Sequence, residues 1–346
     1  MVSHEAGFPA MTPLTLSRHR HRALLGGLDG GTTLLAGSAH FSVYGLAAGQ
    51  AQADPEDLLV VHSLAPEQID NNVGAYVADE LLPLLAQVRQ AASIQPSLYA
   101  SSEHETFQRC VGAIVRSMDG NERRAWHRFY DNTLAALRAT GTTGMAPGRT
   151  DFIASFRAIY AKIAGLVAEV AAETVLDVAT CFGFLPLVLA GQSGSDRSAG
   201  ARRVTGCDIN PALVALANDY RQQRQVSGVG FVCADILAAR AVGDLDPGGG
   251  FDVVTAIHLL EHLTAAETGR AMRNLWALAR RRLIVAVPFE DEPDRRYGHR
   301  QVFDEQSLCA LGRRIEADCR FFAHHGGWVV LDRPASPQKH QREPVQ

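Results

Sequence analysis

No stretch of the 346-residue chain runs for eighteen apolar residues without a break, so no membrane span is expected. Six cysteines are present (Cys110, Cys181, Cys207, Cys233, Cys309 and Cys319), but none stands in a C-x-x-C pair. Neither a zinc site nor a disulfide framework is indicated, and no metal is assigned. Each cysteine lies in an apolar segment, which fits reduced, buried thiols in a cytoplasmic protein. Positive charge is also short. Lysine is scarce, and 33 Lys and Arg face 37 Asp and Glu for a net charge of −4. That balance leaves no electrostatic footprint for nucleic acid. A signal peptide is not expected either, because Asp29 and several glycines interrupt the short apolar run after the basic residues His19 to Arg22. What remains is ordinary for a soluble globular protein, with 47% hydrophobic and 20% charged residues. The length suits about two domains.

Residues 1–60 are weakly patterned and rich in Gly, Ala and Thr, and the first thirteen are expected to be disordered. Residues 61–150 form a helical region. Its helices are expected over Val73–Ala91, Thr106–Met118 and Glu122–Leu137, and the glycine-rich segment 140–148 reads as a linker. A further helix over Asp151–Ala172 leads into a third region, 151–333, and the polar tail 334–346 is expected to be disordered. In the third region short β-branched runs alternate with helical ones. The runs are Val175–Val178, Arg203–Cys207, Gly230–Cys233, Phe251–Ile257 and Arg282–Val287. The intervening helices fall at Leu185–Ala190, Pro211–Gln223 and Ala265–Ala279. Such alternation predicts right-handed βαβ crossovers and a doubly wound parallel sheet. Two more runs, Ala317–Phe322 and Trp328–Leu331, are joined through His324-His-Gly-Gly327. Two glycines at that point predict a terminal antiparallel hairpin and seven strands in all.

The chemistry-bearing positions follow the strands. Asp177-Val-Ala-Thr-Cys-Phe-Gly183 is a strand end, a turn of small residues and the approach to a helix. Doubly wound proteins bind nucleotide-like ligands at such a corner. Small residues let backbone amides approach a ligand, although the Cβ of Cys181 narrows that approach. Asp177 can bind an ammonium group, directly or through water. Asp208 ends the second strand, ahead of Ile209-Asn-Pro211, and is placed to bond both hydroxyls of a ribose. It lies thirty-one residues after Asp177 rather than about twenty, and the inserted polar segment Gly191–Gly200 accounts for the excess. Asp235-Ile236 follows the third strand, and His258-Leu-Leu-Glu-His262 follows the fourth. Glu290, Asp291, Glu292, Asp294, Tyr297 and His299 follow the fifth. The carboxylates there are ordinary for a solvated loop, though a metal-assisted mechanism could draw on Glu290–Asp294. His299 is the better candidate for a general base near neutral pH.

These motifs together resemble the class I S-adenosylmethionine-dependent methyltransferases. The first motif of that family is an acid, a hydrophobic residue and G-x-G-x-G. Here only Gly183 keeps a glycine, with Ala179 and Cys181 in the other two places. The resemblance implies S-adenosylmethionine as cofactor, held by Asp177, Ala179, Cys181, Gly183, Asp208, Ile209, Asp235 and Ile236. In the family the acid after the third strand accepts from the adenine amino group, and the next amide faces a ring nitrogen. It also implies methyl transfer to an acceptor, with His299, His258, Glu261 and His262 as the catalytic candidates. Ile69-Asp-Asn-Asn-Val-Gly-Ala-Tyr76, Phe129-Tyr-Asp-Asn-Thr-Leu134 and Tyr297-Gly-His-Arg-Gln-Val-Phe-Asp304 narrow the likeness. With the first motif they look like the mycofactocin oligosaccharide methyltransferases, which O-methylate a glucose of the oligosaccharide carried by that redox cofactor. The expected partner is then a small-molecule or oligosaccharide hydroxyl. A lipid, quinone or polyketide acceptor, or a methyltransferase-like protein without catalysis, are the alternatives. Oligomeric state has no signature in the sequence.

Overall fold

The computed structural model describes residues 15–17, 32–46, 58–91, 102–139, 150–192, 203–238, 245 and 249–334. The expected disorder at 1–13 and 335–346, the linker at 140–148 and most of the inserted segment (193–200) lie outside the described residues. The chain divides into two compact units, Met1–Arg157 with Arg295–Gly298, and Ala158–Asp294 with His299–Gln346.

The first unit is helical from Val73 onward but also holds a sheet that its weak patterning does not announce. Strands β1 (Thr15–Ser17), β2 (Thr32–Gly37), β3 (Phe41–Leu46) and β4 (Leu58–His62) lie in the order β1-β4-β3-β2. β1 runs parallel to β4, and the other pairs are antiparallel. The signal was there in small form. Phe41 and Val43 are buried while Ser42 and Tyr44, alternating with them, are not, the period of a half-buried strand. Leu59 to His62 are all buried, as a continuous apolar run requires. The helix expected over Val73–Ala91 forms as two α-helical pieces, Val73–Tyr76 and Leu82–Ala91, around a π-helical turn at Val77–Leu81. Within that turn the buried Glu80 accepts from the His40 amide (3.1 Å) and pairs with its Nδ1 (2.7 Å). The next helices, Glu103–Ser117 and Glu122–Arg138, begin at Ser102 and Asn121, whose side chains each accept an orphan amide of the first turn.

The second unit carries the predicted sheet. Strands β5 (Thr174–Val178), β6 (Arg203–Asp208), β7 (Val229–Cys233), β8 (Phe251–Ile257), β9 (Ala279–Val287), β10 (Asp318–Ala323) and β11 (Gly327–Asp332) lie in the order β10-β11-β9-β8-β5-β6-β7. β5 to β9 are mutually parallel, and β11 is antiparallel to both β9 and β10. Every residue of β5 is buried, as befits a strand covered on both faces. The terminal hairpin turns at His325 and Gly326, where φ is +49° and +123°. A side chain at Gly326 would collide with the Val287 carbonyl. This strand order and terminal hairpin are those of the class I methyltransferase fold.

One helix, Glu305–Arg313, was not foreseen. Asp304 caps it by accepting from the Ser307 amide at 2.7 Å, a start signal present in the sequence. Arg282, in β9, is 5% exposed yet fully engaged. Its guanidinium donates to Asp332 of β11 and to Glu169 and the Leu166 carbonyl of helix Phe152–Glu169. Among the described residues no helix is long and apolar enough to cross a membrane.

Candidate functional site

The sheet reverses its strand order beside β5. The chain steps outward through β6 and β7, then returns to β8 on the other side of β5. Ligands of open α/β sheets bind at the carboxyl ends of the strands flanking such a reversal. Val178 is level with Cys207 of β6 and with Ala256 of β8. Thr180 and His258, each two residues further, therefore leave the sheet side by side.

On the β5–β6 side the turn is built around two buried acids. Asp177 is 4% exposed and accepts from the hydroxyls of Thr180 and Thr255, each at 2.6 Å. Burial nonetheless pushes its carboxyl up to about 6, with the charge of Asp208 adding to the rise. Asp208 accepts the Cys181 amide on one oxygen (2.8 Å) and the Asn210 amide on the other (2.9 Å). Burial raises it too. The Ile209 amide adds a third backbone donor, which leaves the carboxylate room for a further one.

The two missing glycines are replaced in identity but not in conformation. Ala179 and Cys181 have φ of +59° and +52°, the left-handed region that glycine favours. Holding L-residues there costs roughly 1–2 kcal/mol each, a strain typical of ligand-binding turns. Gly183 (φ +75°) is irreplaceable for another reason, because a Cβ would run into the Phe231 ring. Cys181 is exposed, and Ile209, beyond Asp208, is 66% exposed. Asp235 and Ile236 are joined to this side through the Ala234 amide, which donates to the Asp208 carbonyl at 3.0 Å. Asp235 is half-buried and accepts the Leu237 amide, whereas the Ile236 side chain is in the core.

On the β8 side lies a second cluster. His258 is held at φ +55° with its amide on the Ala286 carbonyl, and its Nδ1 is 3.4 Å from Glu261. Glu261 is 1% exposed, and burial, reinforced by Glu290, pushes its carboxyl up to about 8. Burial pushes His258 down to about 4, helped by His299 and His262. Both side chains are therefore neutral near pH 7. The His262 and His299 rings meet edge to face at 5.0 Å. His299 Nδ1 lies 2.8 Å from Glu290 Oε2. Of the five acidic and basic positions expected after β9, these two alone are brought to the cluster by described contacts in this unit. Tyr297 belongs to the first unit, where its ring packs edge to face on Phe107 and Phe152.

Sequence reasoning missed three supporting residues. Thr180 and Thr255 hold Asp177, and an isolated threonine in the apolar run of β8 was the available signal. Gln301 donates through Nε2 to the carbonyls of Leu260 and Leu263 and to Thr268 Oγ1. With the Arg300 amide on the Glu261 carbonyl at 2.7 Å, it fastens the strand of chain bearing His299 to the Glu261 turn.

Residues 175–282 match the family model described as a methyltransferase domain. The matched residues lie wholly within the second unit. Solved structures similar to the chain include the methyltransferase domain of bacterial CtHen1-C, at 18% identity and TM-score 0.42, covering 51% of this chain and 98% of that one. Magnesium protoporphyrin IX methyltransferase (ChlM) from Synechocystis PCC 6803 with bound SAH is 17% identical at TM-score 0.40, covering 61% and 98%. An O-methyltransferase family protein from Burkholderia thailandensis is 14% identical at TM-score 0.39, covering 77% and 94%. No curated protein matches the chain. Both side-chain clusters described above stand in the second unit, at the carboxyl ends of strands around the order reversal.

Proposed function

We propose that the chain is an S-adenosylmethionine-dependent O-methyltransferase of a small-molecule or sugar hydroxyl, acting in the cytoplasm. The observation that carries this reading is the pair of buried acids, Asp177 and Asp208, locked to the left-handed turn at the strand-order reversal. Asp208, at the end of the second strand of the sheet, is placed to accept from a ribose hydroxyl. Ile209 offers an exposed apolar side chain for a flat base, and Asp235 with the Ile236 amide an acceptor and a donor for its edge. Asp177 and the turn at Ala179 to Gly183 would take the amino-acid end. When bound, the cofactor supplies an electrophilic methyl group on a sulfonium.

The domain's remaining task is to hold the acceptor oxygen in line and to take up its proton. His299 is the group we assign to that proton. Glu290 meets its Nδ1 at 2.8 Å, the kind of contact that sets the tautomer and orientation of a histidine base. The mycofactocin oligosaccharide is the acceptor class to which the sequence resemblance points. Mass analysis of products from that oligosaccharide, set against lipid, quinone and polyketide acceptors, decides among them.

Calorimetric titration with S-adenosylhomocysteine tests the reading. Saturable binding is expected, weakened at least tenfold in Asp208→Ala. No binding at millimolar ligand removes the enzyme reading and leaves a methyltransferase-like protein without catalysis. His299→Ala is expected to bind S-adenosylhomocysteine as the parent does while turnover falls by about 10²–10⁴-fold. Undiminished turnover removes His299 from the reaction.

A further inference from the structure

Glu261 has no structural reason to be where it is. It sits beneath the turn after β8, 1% exposed, and neither carboxylate oxygen has a hydrogen-bond partner. A buried carboxyl left unsatisfied costs about 1–3 kcal/mol, and more when charged. Thr or Ser at this position would leave nothing so exposed to that cost, and Leu would remove it. A buried acid with no hydrogen-bond partner on either oxygen is satisfied by a ligand that supplies positive charge.

The surroundings specify which kind. Among the described residues, Glu261, His262 and His299 each bring one ligand atom to within 4.8 Å of the others. First-row cations take histidine nitrogen at about 2.0–2.1 Å and carboxylate oxygen at about 2.0–2.2 Å. Ligand atoms around one such ion stand about 3–4 Å apart, so a small closure of side chains suffices. No thiolate belongs to the group. Two imidazoles and one carboxylate suit manganese, iron or zinc, whereas magnesium and calcium prefer all-oxygen sets. The outer contacts point the same way. Ligating histidines characteristically give their other ring nitrogen to a carboxylate, and His299 Nδ1 already meets Glu290 Oε2 at 2.8 Å. Gln301 and the Arg300 amide fix the loop that carries His299 to the turn that carries Glu261 and His262.

We propose that Glu261, His262 and His299 bind one divalent transition-metal cation, with Glu290 orienting His299. Three protein ligands leave coordination positions open. The binding proposal stands by itself. Its catalytic meaning rests on the methyltransferase reading: the cation would bind the acceptor hydroxyl, orient it and lower its pKa so that its proton passes to solvent water as the oxygen takes the methyl group, with His299 a ligand and not the base.

The test uses the full chain, stripped with a chelator and titrated with manganese by paramagnetic resonance and with zinc by calorimetry. One manganese ion per chain is expected, bound more tightly than magnesium. Glu261→Gln and His262→Ala should each weaken binding at least tenfold, and Glu290→Gln by about 10–100-fold. Circular dichroism certifies that each variant is folded, and Glu261→Gln, the nearest in shape, carries the test if His262→Ala is not. Absent saturable binding of manganese and zinc, or equal affinity in parent and Glu261→Gln, overturns the proposal. A parallel titration with S-adenosylhomocysteine separates the two readings. Its binding without metal binding leaves the methyltransferase intact and removes the cation. Metal binding without it does the reverse. With both bound, chelation should abolish turnover and manganese restore it; turnover indifferent to chelation returns His299 to the role of base.

Discussion

Asp177 shows how far a site can work against its own fold. Its carboxyl is raised from 3.8 to about 6 by burial, so the folded state binds its proton more tightly than the unfolded chain does. The stabilising contribution is complete below pH 3.8, falls as pH rises through about 6, and is absent at neutrality. Asp177→Asn removes this dependence. Its melting temperature should overtake the parent's between pH 4 and 6, with a plateau on the order of 3 kcal/mol near pH 7, while cofactor affinity drops. Thermal melts across that range check it; parallel curves would show that Asp177 is not desolvated. Cys181 predicts the opposite trade. Cys181→Gly relieves a left-handed residue and should add about 1 kcal/mol of stability with cofactor affinity kept. The sequence offered Ala179 and Cys181 as damaged glycines, because a motif records residue types. Their positive φ was not legible, since it is imposed by the Thr180 amide on Cys207 and the Cys181 amide on Asp208, both contacts across strands.

At the scale of elements, legibility followed burial. The strands β5, β6, β8 and β9 are apolar runs because they are covered on both faces, and their limits were read within a few residues. The sheet of the first unit was missed because β1 to β4 are short and lie among Gly, Ala and Thr. The π-helical turn at Val77–Leu81 has no residue signature at all. The segment 299–301 was legible as chemistry but not as geometry. Its anchor is Gln301, whose single nitrogen joins three acceptors. Gln301→Ala should therefore lower turnover by about tenfold or more, with S-adenosylhomocysteine affinity unchanged. A loss confined to cofactor affinity would show that the loop is positioned by something else. Arg282 ties β9, β11 and the helix Phe152–Glu169, and Arg282→Ala leaves Glu169 and Asp332 with Arg320 alone and the Leu166 carbonyl without its donor. A loss of about 1–3 kcal/mol is expected by denaturant unfolding, because the carboxylates are partly solvated and keep Arg320.

At the scale of the whole molecule, the two units answer acid differently. In the first, burial pushes His62 down to about 4. Ser117 donates to the Ile114 carbonyl, so His62 must donate from Nε2 to Ser117. His62 is folded neutral, and its contribution is complete above pH 6.5 and lost as pH falls towards about 4. Asp177, in the second unit, gains over much of that same interval. Trp126 lies in the first unit, Trp276 and Trp328 in the second. Fluorescence of a chain with Trp276→Phe and Trp328→Phe should report an acid transition that His62→Gln shifts to lower pH.

The division of the chain has a practical edge. Residues 295–298 belong to the first unit although the chain on either side belongs to the second. The two units are interleaved in sequence, like a parenthesis opened in one text and closed in the other. A fragment cut to begin at residue 158 would carry Tyr297 without Phe107 and Phe152, its ring neighbours, and Gly298 without His104, which packs on it. Those four residues immediately precede His299. The second unit has no clean excision point in sequence, and its chemistry is best measured on the uncut chain.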